Sequence, residues 1–324
     1  MKYALLICLI FFAQITHAQT VDNIDVTVNP QNPSANQQAS IDVKSFALDL
    51  GQATISWSLN GKIVSKGKGI VHFDFNTESL GVASVIDIAI TGKDGEILRK
   101  EVIVKPASVD LLWQTNTHTP PFYRGKALYT PQSTITFVAV PHLVYKNGSP
   151  IDNKNIVFTW KKDYIVQGSL SGYGKDSFSF EANVLKKPTI VEVAVSAPTE
   201  NLNSSTVLSI NTRDSEIVVY ENDPLYGILY NNAITSLYHL VGNEVKFTAT
   251  PYYFTTGISG TKNLKYSWDF NDGTEQGDNS TDQSIVLRRE GDASGSSNIS
   301  LSVENPVQFF QKAVLAIKVK FENI

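Results

Sequence analysis

Cysteine is all but missing: Cys8 is the only one among 324 residues. It lies inside an N-terminal apolar stretch, so a chain cut after Ala18 has no disulfide and must be held by burial alone. Folding units of roughly a hundred residues can manage that without such staples. Long apolar runs are missing too. The longest, from Ala4 to Ile15, is about twelve residues, against the ~20 that span a bilayer. It follows Lys2 and precedes Thr16-His17-Ala18, so residues 1–18 read as a secretory signal peptide cleaved before Gln19. Leu5-Leu6-Ile7-Cys8 loosely resembles a lipidation box, but Ile7 is too large for the position before a modified cysteine. The expected location is therefore outside the cytoplasm: extracellular, at the cell surface or periplasmic. No membrane span is expected once the signal is removed.

Charge is also scarce. Charged residues make up 18% of the chain and the net charge is −4 with both signs dispersed, which leaves no basic patch for a nucleic acid. Catalytic motifs are missing as well. The histidines are His17, His72, His118, His142 and His239, and no two have the spacing of a metal pair on one element. Gly168-Ser169-Leu170-Ser171-Gly172 carries Leu170 where a nucleophile elbow needs serine. No long helical periodicity is readable. The chain is expected to be no enzyme and to need no cofactor.

What the sequence does contain is a repeated strand. Ile55-Ser56-Trp57-Ser58-Leu59, Phe158-Thr159-Trp160-Lys161-Lys162 and Tyr266-Ser267-Trp268-Asp269-Phe270 each alternate apolar and polar residues around one tryptophan. Period two buries one face, so Trp57, Trp160 and Trp268 are the expected core residues. They recur at roughly the length of one immunoglobulin-like sandwich. A second strand follows each at a similar offset: Val71–Phe75, Phe178–Phe180 and Ile285–Leu287. A third then follows: Val85–Ile90, Ile190–Val195 and Ile299–Val303. Thr136–Pro141 parallels Lys246–Pro251, and Trp113 parallels Tyr220. The fold class expected is all-β, with three tandem Ig-like antiparallel sandwiches after the signal peptide, at residues 22–106, 108–212 and 214–324. So few residues join the second and third units that they should be held semi-rigidly.

Several surface features are candidates for function. The loop Asn116–Leu128 contains Pro120-Pro121-Phe122-Tyr123-Arg124-Gly125, and Phe122, Tyr123 and Arg124 form a possible recognition loop on a rigid scaffold. The competing structural expectation is that Phe122 and Tyr123 fold back over the edge of their own sandwich. Asn222–Tyr230 is its counterpart in the third unit, which favours a shared structural role. Gly172-Tyr173-Gly174 reads as a flexible connection, and a short helical turn is expected after Pro306. Lys62, Lys66 and Lys68 follow the Asn60-Gly61 turn and read as lysines guarding an edge strand. Asp269, Asn271 and Asp272 faintly suggest a calcium loop, but no closing bidentate glutamate follows and a plain Asx turn is favoured.

Tyr266-Ser267-Trp268-Asp269-Phe270-Asn271-Asp272-Gly273-Thr274 resembles the signature of polycystic kidney disease (PKD) domains, Trp-Asp-Phe-Gly-Asp-Gly, with Asn271 in place of the middle glycine. Asn298–Asn305 is similar to that family's last strand, although this unit runs on to Ile324. The first unit resembles generic bacterial Ig-like domains. The resemblance implies an extracellular interaction or spacer module with no shared catalytic residues. The expectation is a non-enzymatic, semi-rigid scaffold that meets protein partners, with an accessory role in a surface appendage or secretion assembly. The alternative is a carbohydrate-binding or adhesin module using Tyr123, Tyr173, Tyr226 and Tyr252 on surface glycans.

Overall fold

The computed structural model describes residues 24–185, 187–257, 260–270, 274–275, 282–289, 291 and 294–321. The chain is all-β: strands account for 58% and helix for 4%. Among the described residues, six sheets are paired around three separate hydrophobic cores. By compactness the chain divides in two, a unit ending at Pro106 and a unit Ala107–Ile324 that contains two of the cores.

The first sandwich uses β1 (Ile24–Asn29), β2 (Gln38–Ser45), β3 (Thr54–Leu59), β4 (Lys62–Lys68), β5 (His72–Asn76), β6 (Ser84–Thr91) and β7 (Ile97–Val104). These form the sheets β1-β2-β5 and β4-β3-β6-β7, with every pairing antiparallel. Alternation drives the layering: in β2, Ala39, Ile41 and Val43 are buried while Ser40, Asp42 and Lys44 point outward. Asn60 and Gly61 both have positive φ, 51° and 79°, which is the turn geometry that matches the twist of a two-residue hairpin. β4 is an edge strand, so Lys62, Lys66 and Lys68 do lie along an open edge.

The second sandwich uses β8 (Ser108–Thr115), β9 (Thr134–His142), β10 (Val157–Lys162), β11 (Ile165–Val166), β12 (Gly172–Tyr173), β13 (Ser177–Glu181), β14 (Thr189–Ala197) and β15 (Leu202–Ile210). Its sheets are β13-β9-β8 and β11-β10-β14-β15, with β12 also on β10. The Gly172-Tyr173 stretch is therefore no loose connection: Tyr173 pairs with Val157 and Gly172 with Phe158.

The third sandwich uses β16 (Glu216–Asp223), β17 (Gly227–Ile234), β18 (Leu237–Leu240), β19 (Glu244–Tyr252), β20 (Lys265–Phe270), β21 (Thr274–Glu275), β22 (Ser284–Arg288), β23 (Gly295–Glu304) and β24 (Lys312–Phe321). The sheets are β17-β16-β19-β22 and β18-β24-β23-β20-β21, and β18 runs parallel to β24. Residues 306–310 form turns rather than the expected helical turn.

The tryptophan strand lies inside one sheet of each sandwich, and its indole is fixed the same way three times. Trp57 Nε1 donates to the Ile70 carbonyl (2.9 Å), Trp160 Nε1 to Lys175 (2.8 Å) and Trp268 Nε1 to Asp282 (3.3 Å). In every case the acceptor lies two residues before the strand that crosses to the opposite sheet: β5, β13 or β22. All three rings are buried, and two of them pack on a phenylalanine from that strand, Phe73 at 5.3 Å and Phe178 at 5.4 Å. Burying one indole is worth roughly 4–6 kcal/mol at ~25 cal/mol per Å² over 150–250 Å².

Candidate functional site at the junction of the second and third sandwiches

The loop expected to serve recognition leaves β8 at Asn116 and returns to β9 at Thr134 without forming a strand of its own. Its first residues are fixed from within: Thr117 Oγ1 donates to the Leu128 carbonyl at 2.8 Å and lies 2.8 Å from Thr115 Oγ1. The backbone then does what a strand does, but across to the next sandwich. The His118 N–H donates to the Phe254 carbonyl (2.7 Å), the Tyr253 N–H donates to the His118 carbonyl (2.8 Å), and Thr117 bridges Thr255 antiparallel. Burial lowers the His118 imidazole below its usual range, so it is neutral within this contact.

Tyr123 completes the contact. Its hydroxyl lies 2.7 Å from the Tyr253 hydroxyl, and its ring meets Tyr252 edge-on at 5.6 Å. Gly125 makes room for it, because a Cβ there would stand 2.4 Å from the Tyr123 ring. Lys126 Nζ sits 3.4 Å over the Trp113 ring and ties the loop back to β8. Phe122 is a different case: with φ of 64° it is turned outward and 95% exposed. The expected fold-back is thus corrected. Phe122 covers nothing, and Tyr123 covers the neighbouring sandwich rather than its own edge. Arg124 is exposed beside them.

The third sandwich answers with polar groups that are fully enclosed. Gln311 is 1% exposed, and its Nε2 donates to the Pro131 carbonyl (2.8 Å), Thr255 Oγ1 (2.9 Å) and Thr130 Oγ1 (3.3 Å). Its Oε1 accepts from the Thr255 N–H (2.7 Å) and Asn305 Nδ2 (3.1 Å). The Tyr253 carbonyl accepts from Thr130 Oγ1 (3.0 Å) and Ser215 Oγ (3.3 Å), while the Arg213 N–H donates to the Tyr129 carbonyl (2.8 Å). The short connection from β15 to β16 is therefore tied to both sides. A tyrosine cluster flanks it: the Tyr220 and Tyr252 hydroxyls are 2.9 Å apart and Tyr230 packs edge-on to Tyr220 at 5.1 Å. Burial first, then the hydrogen bond each makes to a neighbouring phenol, pushes the Tyr252 and Tyr253 hydroxyls well above the ordinary tyrosine range.

The other expected site residues do not join this cluster. Asn271 and Asp272 lie outside the described residues, as do residues 1–18. Asp269 is half-buried in β20 opposite Glu275. Among the described residues no group of three potential ligands is placed to hold a metal, and no helix is long and apolar enough to cross a membrane. The tyrosines weighed for glycans divide: Tyr123 and Tyr252 are engaged in the junction, whereas Tyr173 and Tyr226 lie open. The Asn222–Tyr230 counterpart is a β16–β17 hairpin and not a loop of the same shape as 116–133. Gln311, Tyr253 and His118 carry most of the junction, and no sequence pattern distinguished them. The signal available in the sequence was an adjacent aromatic pair, Tyr252-Tyr253, at the end of β19.

No family model matches this chain, and no curated protein does. Solved structures of sandwich tandems are similar at low level. The three N-terminal domains of the bacteriophage RB49 highly immunogenic outer capsid protein are 14% identical over 93% of this chain and 99% of that one, with a TM-score of 0.25. The central fibronectin-III array of RIM-binding protein is 10% identical over 93% and 96%, with a TM-score of 0.29. Bacteroides ovatus SGBP-B, solved with a mixed-linkage heptasaccharide, is 11% identical over 90% and 65%, with a TM-score of 0.22. Likeness at this level does not bear on function.

Proposed function

We propose that this chain is an exported, non-enzymatic scaffold of three sandwich modules, residues 22–106, 108–212 and 214–324, that acts by protein–protein contact. The third module is read as a PKD-like variant on the strength of Trp268-Asp269-Phe270 and the strand β23 that pairs with it. The observation that carries the proposal is the enclosed junction. Two modules share a backbone bridge and a buried five-bond glutamine, an arrangement that spends polar groups on fixing geometry rather than on reacting with anything. A spacer in a surface appendage or secretion assembly needs that stiffness. Exposed apolar side chains held on ordered turns, Phe122, Phe309 and Phe310, suit a protein partner. The glycan alternative keeps two supporting observations, the open rings of Tyr173 and Tyr226.

A photo-crosslinking amino acid at position 122 in the producing cell, set beside a glycan array probed with the full chain, tests this. Protein adducts from the outside of the cell, with a blank array, are expected. Array binding that is lost in Tyr173→Ala would replace the scaffold with an adhesin. N-terminal sequencing of the exported chain should begin at Gln19.

A further inference from the structure

The Pro-X-Tyr tripeptide whose tyrosine meets the next sandwich occurs twice. Pro121-Phe122-Tyr123 follows β8, and Pro224-Leu225-Tyr226 follows β16, each in the connection out of its sandwich's first strand. Register places both at the same pole. β8 is antiparallel to β9 and β16 to β19, so each tip lies at the end where the following strand begins. In the second sandwich the tyrosine is bonded to Tyr253 of its neighbour. In the third, Leu225 is 85% and Tyr226 82% exposed. The tip is nevertheless held in shape, because Asp223 Oδ1 accepts from the backbone N–H groups of Leu225 (2.7 Å) and Tyr226 (2.9 Å). Val241, in the connection between β18 and β19 at that pole, is 71% exposed. A preformed tip of this kind loses little entropy on docking.

The surface that receives Tyr123 also has an equivalent. The connection after β19 meets Tyr123 and His118 through Tyr253 and Phe254, and the one between β23 and β24, residues 305–311, meets Thr130–Gln132 at the end of the same loop. In the first sandwich those connections are residues 46–53, after β2, and 92–96, between β6 and β7. They enclose a cleft of about 190 Å³ lined by Leu48, Asp49, Gln52, Lys93 and Glu96. A cavity of roughly 150 Å³ already takes up a benzene ring. Phe46, 96% exposed, stands on an adjoining concavity of the same segment. Carboxylates at Asp49, Asp94 and Glu96 offer acceptors to a phenol.

We propose that the Leu225-Tyr226 tip of one copy docks in the cleft between 46–52 and 92–96 of a second copy, so that chains associate through a tyrosine tip on one sandwich and the corresponding pair of connections on another. It rests on the scaffold reading and names that scaffold's partner. The interface is heterologous: the two faces differ, so each bound copy leaves one tip and one cleft free for further copies.

In a Cys8→Ser background the chain has no other thiol, which makes disulfide trapping clean. Mixing the single variants Tyr226→Cys and Gln52→Cys should yield covalent dimers under mild oxidation, while either variant alone should yield few. Sedimentation velocity should show mass rising with concentration, and Tyr226→Ala or Leu225→Glu should weaken that self-association at least roughly tenfold. Both substitutions are at exposed positions, and unchanged circular dichroism will show that the fold is intact. A monomer at every concentration with no mixed dimer would overturn the proposal. So would preferential Tyr226→Cys self-pairing, or a double variant that closes only within one chain. Such a result leaves the rigid scaffold standing with another partner, whereas the scaffold itself fails on the glycan array.

Discussion

Gln311 is the group on which the junction most depends, and its replacement by leucine is the sharpest test of that role. Leucine has nearly the same volume but no polar atoms, so five hydrogen bonds disappear and little space is opened. Asn305 Nδ2 and the Thr130 hydroxyl keep other partners, the Thr255 carbonyl at 2.8 Å and the Tyr253 carbonyl at 3.0 Å, and the Thr255 hydroxyl belongs to a residue that is only half-buried. The Thr255 N–H and the Pro131 carbonyl have no second partner of that kind and are left enclosed. At ~1–3 kcal/mol for each orphaned group, the expected cost is roughly 2–6 kcal/mol. Hydrogen exchange should report it locally, as loss of protection in segments 128–133, 253–257 and 305–312. β10 and β14, in the core of the second sandwich, should keep their protection.

Gln311→Glu separates the two sides of the same contact. A carboxylate still accepts from Thr255 and Asn305 but cannot donate to Pro131, so the bonds within the third sandwich persist and those to the second are lost. Enclosure beside a carbonyl oxygen raises the carboxyl above its unfolded value of ~4.3. The protonated form can donate to Pro131 again. A raised folded pKa means that stability is fully present below ~4.3 and falls as pH climbs through the folded value. Junction protection in this variant should therefore return on acidification. If Gln311→Leu leaves exchange at 128–133 and 253–257 unchanged, the glutamine holds nothing together and this account of the junction is wrong.

Gly125→Ala puts a methyl where the Tyr123 ring stands, so it should break the Tyr123–Tyr253 hydroxyl pair as Tyr123→Phe does; both should cost about 1 kcal/mol in denaturant melts of the full chain. Trp160→Phe removes the bond to the Lys175 carbonyl and leaves a void; the expected loss is roughly 2–4 kcal/mol, read as exchange confined to the second sandwich, and a loss spread over all three would refute modular cores. Tyr266 is pushed up to about 12 by burial, and Tyr252 and Tyr253 higher still. Their folded pKa values lie above the unfolded ~10, so the stability they contribute is intact below pH 10 and lost above it. Ultraviolet titration should find these phenols protonated until the chain unfolds. The hydrogen bond to Asp42, helped by nearby Asp74, raises His72, so its NMR titration should shift down in Asp42→Asn.

Legibility in the sequence followed the physics of each part. Strands such as Ile97–Val104 and the tryptophan strands were readable because period-two burial is a local property of consecutive side chains. The shared indole-to-carbonyl bond was not, since it joins a strand residue to a backbone carbonyl 13 to 15 residues further on, which no side-chain pattern marks. The junction was invisible for a deeper reason. Gln311 and His118 are ordinary polar residues in loops, and only tertiary placement encloses them. Gly172-Tyr173 was misread as a loose connection because a two-residue strand has no periodicity to detect.

The two Pro-X-Tyr tips show what the sequence can and cannot assign. Tyr123 and Tyr226 sit in matching tripeptides after matching strands, yet one is bonded to another tyrosine and the other lies open. Residue type alone predicts the same chemistry for both, a flat ring suited to a sugar or to a protein. Their surroundings separate them: Tyr123 meets the Tyr252-Tyr253 pair of the third sandwich, and Tyr226 is 82% exposed. An aromatic side chain in a modular chain should therefore be read first as half of a pole-to-pole contact, and as a ligand site only when that contact is excluded. Tyr173 meets the second condition better than Tyr226 does, because it lies on a short edge strand paired with Val157 and not in a Pro-X-Tyr tip like that of Tyr123. If a glycan site exists in this protein, Tyr173 and not Tyr226 is where it should be sought.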